Sequence, residues 1–483
     1  MIALSSFLKT LELDPRLDVL QTLKAFENVP YVLLLDSAAR HRERDSRYSF
    51  LTADPVEISR IERVRFGDRP FQLLREWQCQ LPKLSEAEGI ELPPFMGGIA
   101  GLMSYELGQA FENLPSPEVD DFKTPAMLAG LFDWAIVWDH LACTVKAYVL
   151  TLSTARSASM VQNRMDWILD RLGGASLTSE DHEDVCDASD RQPMRPSGRL
   201  HQIEPSSEIY SDFTRDEYTA AVRRVVDYIG AGDIFQANLS QRLLTRWPGT
   251  ASQLYARVRV KNPAPFCGLL KADDFAVVSA SPERFLKIDS TGHVETRPIK
   301  GTRRRPRSPI ADLYAGEELA TSEKDRAENV MIVDLLRNDI SRNCSAGSVR
   351  VTGLCEVERF ETVLHLVSTV VGQLRPDRDV WDLMSGCFPG VSITGAPKIR
   401  AMQIISEQEP VVRGAYCGSL FAYGPRGDFD SSILIRTFTL KDGWVHFPVG
   451  GGIVADSDPL DEYRETLHKA SGMIRTLRAS GLA

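Results

Sequence analysis

The amino-acid sequence predicts a fold of the α+β class, in which helices and strands follow one another without a fixed order. Strand-like apolar runs occur near both ends of the N-terminal part, at residues 31–35 and 147–150. Helical periodicity is strongest at residues 158–172 and 218–229. The segments show neither the strict βαβ period of a doubly wound sheet nor an internal repeat, which favours an α+β architecture.

Length, composition and charge are those of a globular protein with a large core. The chain has 483 residues, of which 43% are hydrophobic and 25% charged. Its formal net charge of −10 argues against nucleic acid as a partner, since that binding rests on a basic surface. No apolar run reaches 18 residues and no signal-peptide pattern opens the chain, so we expect no membrane segment and a cytoplasmic location.

The eight cysteines do not form a recognisable site. Their spacing is irregular and contains no C-x-x-C pair, which argues against zinc. A disulfide framework is equally unexpected in a chain of this length, so reduced thiols are the simplest interpretation.

Changes in composition divide the sequence into three regions. Residues 1–172 combine strand-like runs with a glycine-rich patch at 96–102. Residues 173–212 are rich in acidic, serine, glycine and proline residues, a composition typical of a flexible linker or loop. Residues 213–483 carry dense helical and strand patterns and most of the residues with chemical potential.

Lys300 lies in the segment 296–302, between an isoleucine and a glycine. A lysine amine is a nucleophile only when neutral, and desolvation lowers its pKa toward that state. Glu283 follows a strand-like run at 275–278, where a buried carboxyl group could act as a general acid or base. Taken alone, each is better explained as a solvated surface charge.

Two helical segments place carboxylates where a cation could bind. Glu328 opens a helix whose later turns are nearly all apolar. Glu462, Glu465 and Lys469 are spaced for one face of a later helix. Carboxylates with waters and a substrate oxygen are what Mg²⁺ prefers, although a solvated helix face would show the same charge pattern.

Further polar residues stand among apolar neighbours or glycines. His365 is flanked by apolar residues, as buried histidines often are. Thr394 precedes a helix, and Arg436 follows a strand-like run where it could clamp a carboxylate. The glycine triplet at 450–452 could offer backbone N–H groups to an anion, because glycine permits close approach.

Together and in this order, these motifs resemble the chorismate-utilising enzyme family. The matching segments span residues 232–470 and are GDIFQANLSQR, SPERF, RPIKGT, EKDRAENVMIVDLLRNDISR, LHLVSTVVG, FPGVSITGAPKIRAMQII, RGAYCGSL, SSILIRTF and GGGIVADSDPLDEYRETLHKA. The resemblance implies two intertwined α/β subdomains around a β-sandwich core with helices outside, as in anthranilate synthase component I. It makes residues 213–483 the chorismate-binding catalytic region.

The resemblance also assigns roles to the residues. The proposed Mg²⁺ ligands are Glu328, Glu462 and Glu465. The proposed catalytic residues are Lys300, Glu283, His365 and Thr394. The proposed contacts to substrate are Thr302, Tyr416, Arg436, Lys469 and the backbone of Gly450 and Gly452. In the N-terminal region the family can bind an aromatic effector or a structural tryptophan, which here would involve Leu35 and Ser37.

Two positions separate the members of the family. Lys300 stands where anthranilate-forming and isochorismate-forming members usually carry alanine and where aminating members carry lysine. Gln236 stands where the members that add water carry a lysine base. The resemblance therefore implies amination of chorismate to 4-amino-4-deoxychorismate, a p-aminobenzoate precursor, through a covalent Lys300 adduct and with ammonia from a glutamine amidotransferase partner.

Two other functions remain compatible with the sequence. An anthranilate-forming enzyme shares every motif except Lys300. A non-catalytic subunit that senses an aromatic amino acid through the N-terminal region would need no acid, nucleophile or metal ligands, and the presence of all of these argues against it.

Overall fold

The computed structural model describes residues 7–39, 46–84, 91–152, 158–174, 196, 198–204, 207–360 and 363–478. Within these ranges no helix is both long and apolar enough to cross a membrane. Strands and helices are both abundant, and the recorded strand pairs are antiparallel apart from one isolated parallel bridge. The predicted α+β class is therefore confirmed.

The strands form two large sheets, called sheet A and sheet B. In spatial order sheet A contains β1 (Leu8–Leu13), β8 (Thr144–Leu150), β7 (Trp134–Asp139), β3 (Tyr48–Thr52), β2 (Val32–Asp36), β12 (Phe266–Lys271), β13 (Ala276–Ser281), β22 (Thr437–Lys441), β23 (Trp444–Ile453), β11 (Gln236–Arg246), β10 (Tyr210–Ser211) and β9 (His201–Gln202), with β19 (Gly395–Ala396) paired to β11. Sheet B contains β16 (Ile299–Arg304), β18 (Val363–Gln373), β15 (His293–Thr296), β14 (Arg284–Ile288), β21 (Phe429–Ser432), β20 (Ser419–Tyr423), β5 (Gly98–Met103), β6 (Met127–Phe132) and β4 (Glu57–Ile61), with β17 (Arg350–Arg359) paired to β18.

Ten α-helices lie in the described ranges. They are α1 (Val19–Phe26), α2 (Gln72–Gln80), α3 (Ala158–Gly174), α4 (Arg215–Gly230), α5 (Ala251–Lys261), α6 (Pro309–Thr321), α7 (Glu323–Ser341), α8 (Val380–Cys387), α9 (Lys398–Gln408) and α10 (Pro459–Arg478). The helices predicted at 158–172 and 218–229 correspond to α3 and α4. A capping box closes the start of α4, where Thr214 and Glu217 satisfy each other's backbone N–H groups.

Both sheets combine strands from the N-terminal and C-terminal regions. In sheet A, β2 pairs with β12 along Val32–Asp36 and Cys267–Lys271. In sheet B, β5 pairs with β20. The two regions are thus woven together through main-chain hydrogen bonds, as the predicted intertwined subdomains require. The sequence boundary near residue 172 does not separate two independent bodies.

The predicted linker at residues 173–212 is described only in part. Residues 175–195 lie outside the described ranges. Further along, β9 and β10 extend the edge of sheet A beside β11, and Ile209 is buried there. Period-2 patterns as short as two residues cannot be read from composition, so the sequence gives no signal for these strands.

Helix α7 is less buried than its apolar sequence predicts. Only one face packs inward, through Ile332, Leu336 and Ile340 among others. Asp334 pairs with Arg337 at 3.1 Å, but both side chains are at least half exposed. A helix on the outside of a sheet buries one stripe, so the additional apolar residues remain at its margins.

A buried ion pair holds together the segments that surround the centre of the molecule. Arg413 contacts Glu409 at 2.7 Å, and both side chains are almost fully buried. Arg413 also donates to the carbonyl oxygens of Asn238 and Ile393, while Glu409 accepts from the Ser240 backbone and hydroxyl. Strand β11, the end of α9 and the turn at 391–394 are therefore fixed by one cluster.

We predict that Arg413→Met destabilises the protein by about 3–5 kcal/mol, because it leaves the Glu409 carboxylate buried without a partner. The free energy of unfolding in urea measures this loss. Arg464→Met is the matched control, since Arg464 pairs with Asp461 on the surface of α10, and its cost should stay below about 1 kcal/mol. Equal effects of the two substitutions would contradict the prediction.

Candidate active site

Lys300 lies on β16, at the end of sheet B that approaches α7 and α10. The next residue, Gly301, adopts a positive φ of 81°, and a side chain there would press on Leu319 and Asp325. Glycine is therefore required both by the backbone conformation and by the approach of α6 and α7. This tight turn fixes the direction in which the neighbouring lysine leaves the strand.

The Lys300 ammonium group is poorly solvated although part of the residue remains accessible. Desolvation lowers its pKa, and this effect is opposed by the negative charges of Glu328 and Glu283. No described residue forms an ion pair with it. An amine of this kind is closer to its nucleophilic neutral form than a surface lysine is.

Glu283 lies between the ends of β13 and β14 and faces the Lys300 turn. The Ile299 backbone N–H points to its carboxylate at 3.5 Å, and its own carbonyl oxygen accepts from the Ile433 N–H. Burial raises the pKa of Glu283 to about 7, against the opposing influence of Ser392 and Lys300. A carboxyl group with this pKa can hold or release a proton near neutral pH.

His365 and Thr302 form a polar pair on adjacent strands of sheet B. The Thr302 hydroxyl lies 2.9 Å from His365 Nδ1, which fixes the imidazole ring. Burial, with a smaller contribution from the nearby Arg436, lowers the pKa of His365 to about 3. The ring is therefore neutral at physiological pH and serves as a hydrogen-bonding group rather than a charge.

Arg436 directly precedes β22 and adopts a left-handed backbone with φ of 51°. A non-glycine residue in this region is strained and is worth attention as a functional position. Its guanidinium makes no ion pair with any described side chain, and burial lowers its pKa while Glu283 raises it. An inward-facing arginine without a partner is suited to receive a carboxylate from a ligand.

The pairing of β11 with β23 leaves backbone N–H groups of the glycine triplet free. Gly450 and Gly452 lie opposite Ser240 and Asn238. The N–H of Ser240 goes to Glu409 and that of Asn238 to the Thr394 carbonyl, so both are non-hydrogen-bonded positions of the ladder. The two glycine N–H groups therefore point away from β11.

None of the described strands covers that side at Gly450 and Gly452. Strand β22 pairs with β23 only from Trp444 to His446, several residues before the glycines. The Gly450 carbonyl oxygen, which points to the same side as the Gly450 N–H, accepts from Lys469 at 3.0 Å. Backbone donors without a partner strand form a binding place for an anion.

Three glutamates and three lysines act on one another's charge near α7 and α10. They are Glu328, Glu462, Glu465, Lys300, Lys324 and Lys469. Glu465 pairs with Lys469 at 2.7 Å, and Glu462 accepts from the Ser457 hydroxyl at 2.7 Å. Burial raises the pKa of Glu328 and of Glu462, and in both cases Glu465 adds to the effect. These carboxylates are close enough to repel one another and would be stabilised by a cation.

The donor set fits a magnesium ion that the substrate completes. Among the described residues, no three His, Cys, Asp or Glu side chains converge as a closed metal cage. Mg²⁺ usually takes one or two carboxylates and keeps several waters or substrate oxygens. Glu328 and Glu462, with Glu465 behind them, offer a donor set of that kind.

Thr394 lies beneath the site and is fully buried. Its hydroxyl donates to the Gly390 carbonyl oxygen at 3.0 Å, and its own carbonyl accepts from Asn238. The structure thus places Thr394 beside the other predicted residues but engages its hydroxyl within the fold.

Two residues of the site were missed from the sequence. Asn238 shares the inner face of β11 with Gln236, because residues two apart in a strand point the same way. Lys324 lies one turn before Glu328 on α7, and its charge acts on Glu328, Glu462 and Glu465. Both spacings were available in the sequence.

Leu35 and Ser37 line a separate cavity of about 920 Å³. Its wall also includes Tyr48, Phe266 and Trp138. The neighbouring Asp36 accepts hydrogen bonds from Ser49, Tyr255 and Arg259 and is not available to a ligand in this arrangement. The lining combines apolar and charged side chains, a mixture that suits an amphipathic ligand.

Comparison with known proteins identifies the family of this chain. Residues 31–475 match the family model described as chorismate binding enzyme. The chain is 40% identical to aminodeoxychorismate synthase component 1 of Salmonella typhimurium, covering 93% of this chain and 94% of the relative. It is 37% identical to anthranilate synthase component 1 of Thermus thermophilus, covering 97% of each.

A solved structure shares the fold as well. Anthranilate synthase component I from Streptococcus pneumoniae superposes with a TM-score of 0.73 at 30% identity, covering 89% of this chain and 93% of that one. The match over almost the whole length, together with the cleft formed by Lys300, Glu283 and the α7 and α10 carboxylates, shows that this chain belongs to the chorismate-binding enzyme family.

Proposed function

We propose that this chain replaces the 4-hydroxyl group of chorismate by an amino group and releases 4-amino-4-deoxychorismate. The observation that carries the proposal is Lys300, a desolvated lysine without an ion-pair partner between the carboxyl groups of Glu283 and Glu328. Overall identity does not decide the reaction, because aminodeoxychorismate and anthranilate synthase components are nearly equally similar. A nucleophilic lysine at this position favours the aminating reaction.

In the first proposed step, neutral Lys300 forms a bond from Nζ to ring C2. Both ring double bonds shift, the bond between C4 and its hydroxyl breaks, and Glu283 donates the proton with which the hydroxyl leaves as water. In the second step ammonia bonds to C4, both double bonds shift back, and the bond from C2 to Lys300 breaks, so that Lys300 leaves as the neutral amine. The Glu283 carboxylate takes the excess proton of the incoming ammonia, and the enolpyruvyl group stays on the product.

The remaining site residues would orient the substrate. Arg436, Tyr416 and the N–H groups of Gly450 and Gly452 are suited to hold the enolpyruvyl carboxylate. Thr302, fixed by the neutral His365, and Lys469 would contact the ring side, and Thr394 would support the turn below. Holding both carboxylates of the substrate would place C2 beside Lys300 and C4 where ammonia arrives. Each new bond would then form between groups that are already oriented.

Glu328, Glu462 and Glu465 would hold the Mg²⁺ ion on which the family depends. When bound, the ion would supply positive charge for the ring carboxylate of the substrate. Lys300, Lys324 and Lys469 already supply positive charge to these carboxylates.

Ammonia would come from a separate glutamine amidotransferase subunit, as the designation component 1 of the relatives implies.

We further propose that the cavity lined by Leu35 and Ser37 takes an aromatic amino acid as a structural or regulatory ligand. The alternative reaction is anthranilate formation, because the chain is also 37% identical to an anthranilate synthase component.

The product identifies the reaction. With chorismate, Mg²⁺ and ammonium, the purified chain should form 4-amino-4-deoxychorismate, which becomes p-aminobenzoate only after a lyase is added. Chromatography and mass spectrometry distinguish this from anthranilate with an equivalent of pyruvate. Formation of anthranilate would exclude the proposed reaction and leave the family membership intact.

Lys300→Ala should abolish the covalent intermediate. Incubated with chorismate and Mg²⁺ but without ammonia, the unchanged protein should gain the mass of chorismate less one water, and the variant should gain nothing. Turnover should fall by about 10²-fold or more, since the nucleophile is lost. Lys261→Ala, on the exposed end of α5, is the control and should keep both adduct and rate.

The raised pKa of Glu283 predicts a pH-dependent stability. The folded state binds the Glu283 proton up to about pH 7, whereas the unfolded chain releases it near its ordinary value of 4.5. The protein should therefore lose stability as pH rises between these values, by on the order of 3 kcal/mol. Glu283→Gln should lack this contribution.

Urea unfolding of both proteins at pH 5 and pH 8 measures the effect. Relative to that of the unchanged protein, the unfolding free energy of Glu283→Gln should be larger at pH 8 than at pH 5. Glu106 and Asp212, whose pKa values burial also raises to about 7, contribute equally to both proteins and cancel. A pH-independent difference would show that Glu283 is ionised normally.

A further inference from the structure

Asn238 is a residue of the cleft to which no role has been given. It lies on the inner face of β11, two residues after Gln236 and opposite Gly452, and it is 8% exposed. Its backbone is fully used, because the N–H donates to the Thr394 carbonyl at 2.7 Å and the carbonyl accepts from Arg413 at 2.5 Å. The fold thus fixes the position of Asn238 without using its side chain.

The Asn238 side-chain amide has a donor without an acceptor. Its Nδ2 is buried and makes no hydrogen bond to any described residue. It lies close enough to the Tyr416 hydroxyl to lower the pKa of that group, against the strong rise caused by burial, although the two groups do not form a hydrogen bond of regular geometry. A buried donor left without an acceptor costs about 1–3 kcal/mol, so a ligand that accepts from it is the natural explanation.

The groups around this amide are mainly donors. The N–H of Gly452 faces the cleft, and Tyr416 presents its hydroxyl nearby. The Gln236 side chain lies against Gly452, and a Cβ at position 452 would be only 2.0 Å from Gln236 Nε2. Gln236 Oε1 is a buried acceptor that makes no hydrogen bond to any described residue. Glycine is therefore required at 452 for the amides to reach the cleft.

Among the described residues, no carboxylate accepts a hydrogen bond from Asn238 Nδ2. The nearest carboxylate of β11's surroundings, Glu409, is fully engaged by Arg413 and Ser240. Several fixed donors without a protein acceptor form a site for an external carboxylate.

We propose that Asn238 Nδ2 donates a hydrogen bond to the carboxylate of the substrate's enolpyruvyl side chain and thereby selects ligands that carry this second carboxylate. The proposal rests on the proposed function for the identity of the substrate. It makes Asn238 a specificity residue at the end of the cleft remote from the α7 and α10 glutamates. A ligand with a ring carboxylate alone would not use it.

The test replaces the amide by groups of similar size. Asn238→Leu removes the donor and Asn238→Asp presents a negative charge to the carboxylate. In the Lys300→Ala background, which prevents turnover, calorimetry with chorismate and Mg²⁺ should show about tenfold weaker binding for the leucine variant and weaker binding still for the aspartate variant. In the otherwise unchanged enzyme, KM should rise in parallel while kcat changes less.

Benzoate is the matched control ligand, because it has a ring carboxylate and no second one. The inhibition constant of benzoate should change by less than about twofold in Asn238→Leu, because benzoate makes no hydrogen bond with Asn238. Equal losses for benzoate and chorismate, or unchanged chorismate binding, would overturn the proposal. Thermal unfolding of each variant shows whether the protein is folded, and the aspartate variant, which keeps the shape of asparagine, serves if the leucine variant is not.

A double-substitution cycle separates direct contact from an effect through Tyr416. If Asn238 contacts the substrate, Asn238→Leu should still weaken chorismate binding when Tyr416 is already phenylalanine. If the second substitution has no further effect, Asn238 acts only on Tyr416 and the proposal fails. Chorismate binding can be measured whichever product the enzyme forms, so this result is independent of the test of the reaction.

Discussion

The ion pair between Arg413 and Glu409 is the interaction on which the centre of the molecule depends. Its two side chains are almost fully buried, and they bind the backbone of β11 on one side and the turn at 391–394 on the other. Because these polar groups compensate one another away from water, they hold β11 in place without covering the cleft. The free N–H groups of Gly450 and Gly452 and the unused amide of Asn238 are consequences of that arrangement.

Charge in the cleft is arranged in two zones. At one end the carboxylates of Glu328, Glu462 and Glu465 face the lysines and would gain from a cation. At the other end Arg436 and backbone donors lack an anionic partner. A substrate with two carboxylates would satisfy both zones, one through the metal and the other directly. Lys300 and Glu283 lie between them, where desolvation moves the pKa of each toward neutrality.

The sequence predicted the fold class and most long helices, and it singled out Lys300, Glu283 and Glu328, whose charges act on one another in the structure, because the motifs that carry them are long and ordered. It overestimated the burial of α7, where Asp334 and Arg337 form a pair on the surface. It gave no sign of β9 and β10, whose two-residue pairings depend on β11 being already in place. It also passed over Asn238, since an asparagine in a strand has no distinctive chemistry until its hydrogen-bond partners are known.

What the sequence determined by itself is the chemical inventory: a lysine at position 300, carboxylates at helical spacing and a glycine triplet. These follow from residue type and period alone. The tertiary structure decided which of these groups lack partners. Burial of Lys300, isolation of Arg436 and the outward direction of the glycine N–H groups all arise from strands and helices far apart in the chain. Solvation and pairing are properties of the assembled surroundings, and they separate a reactive group from an ordinary one.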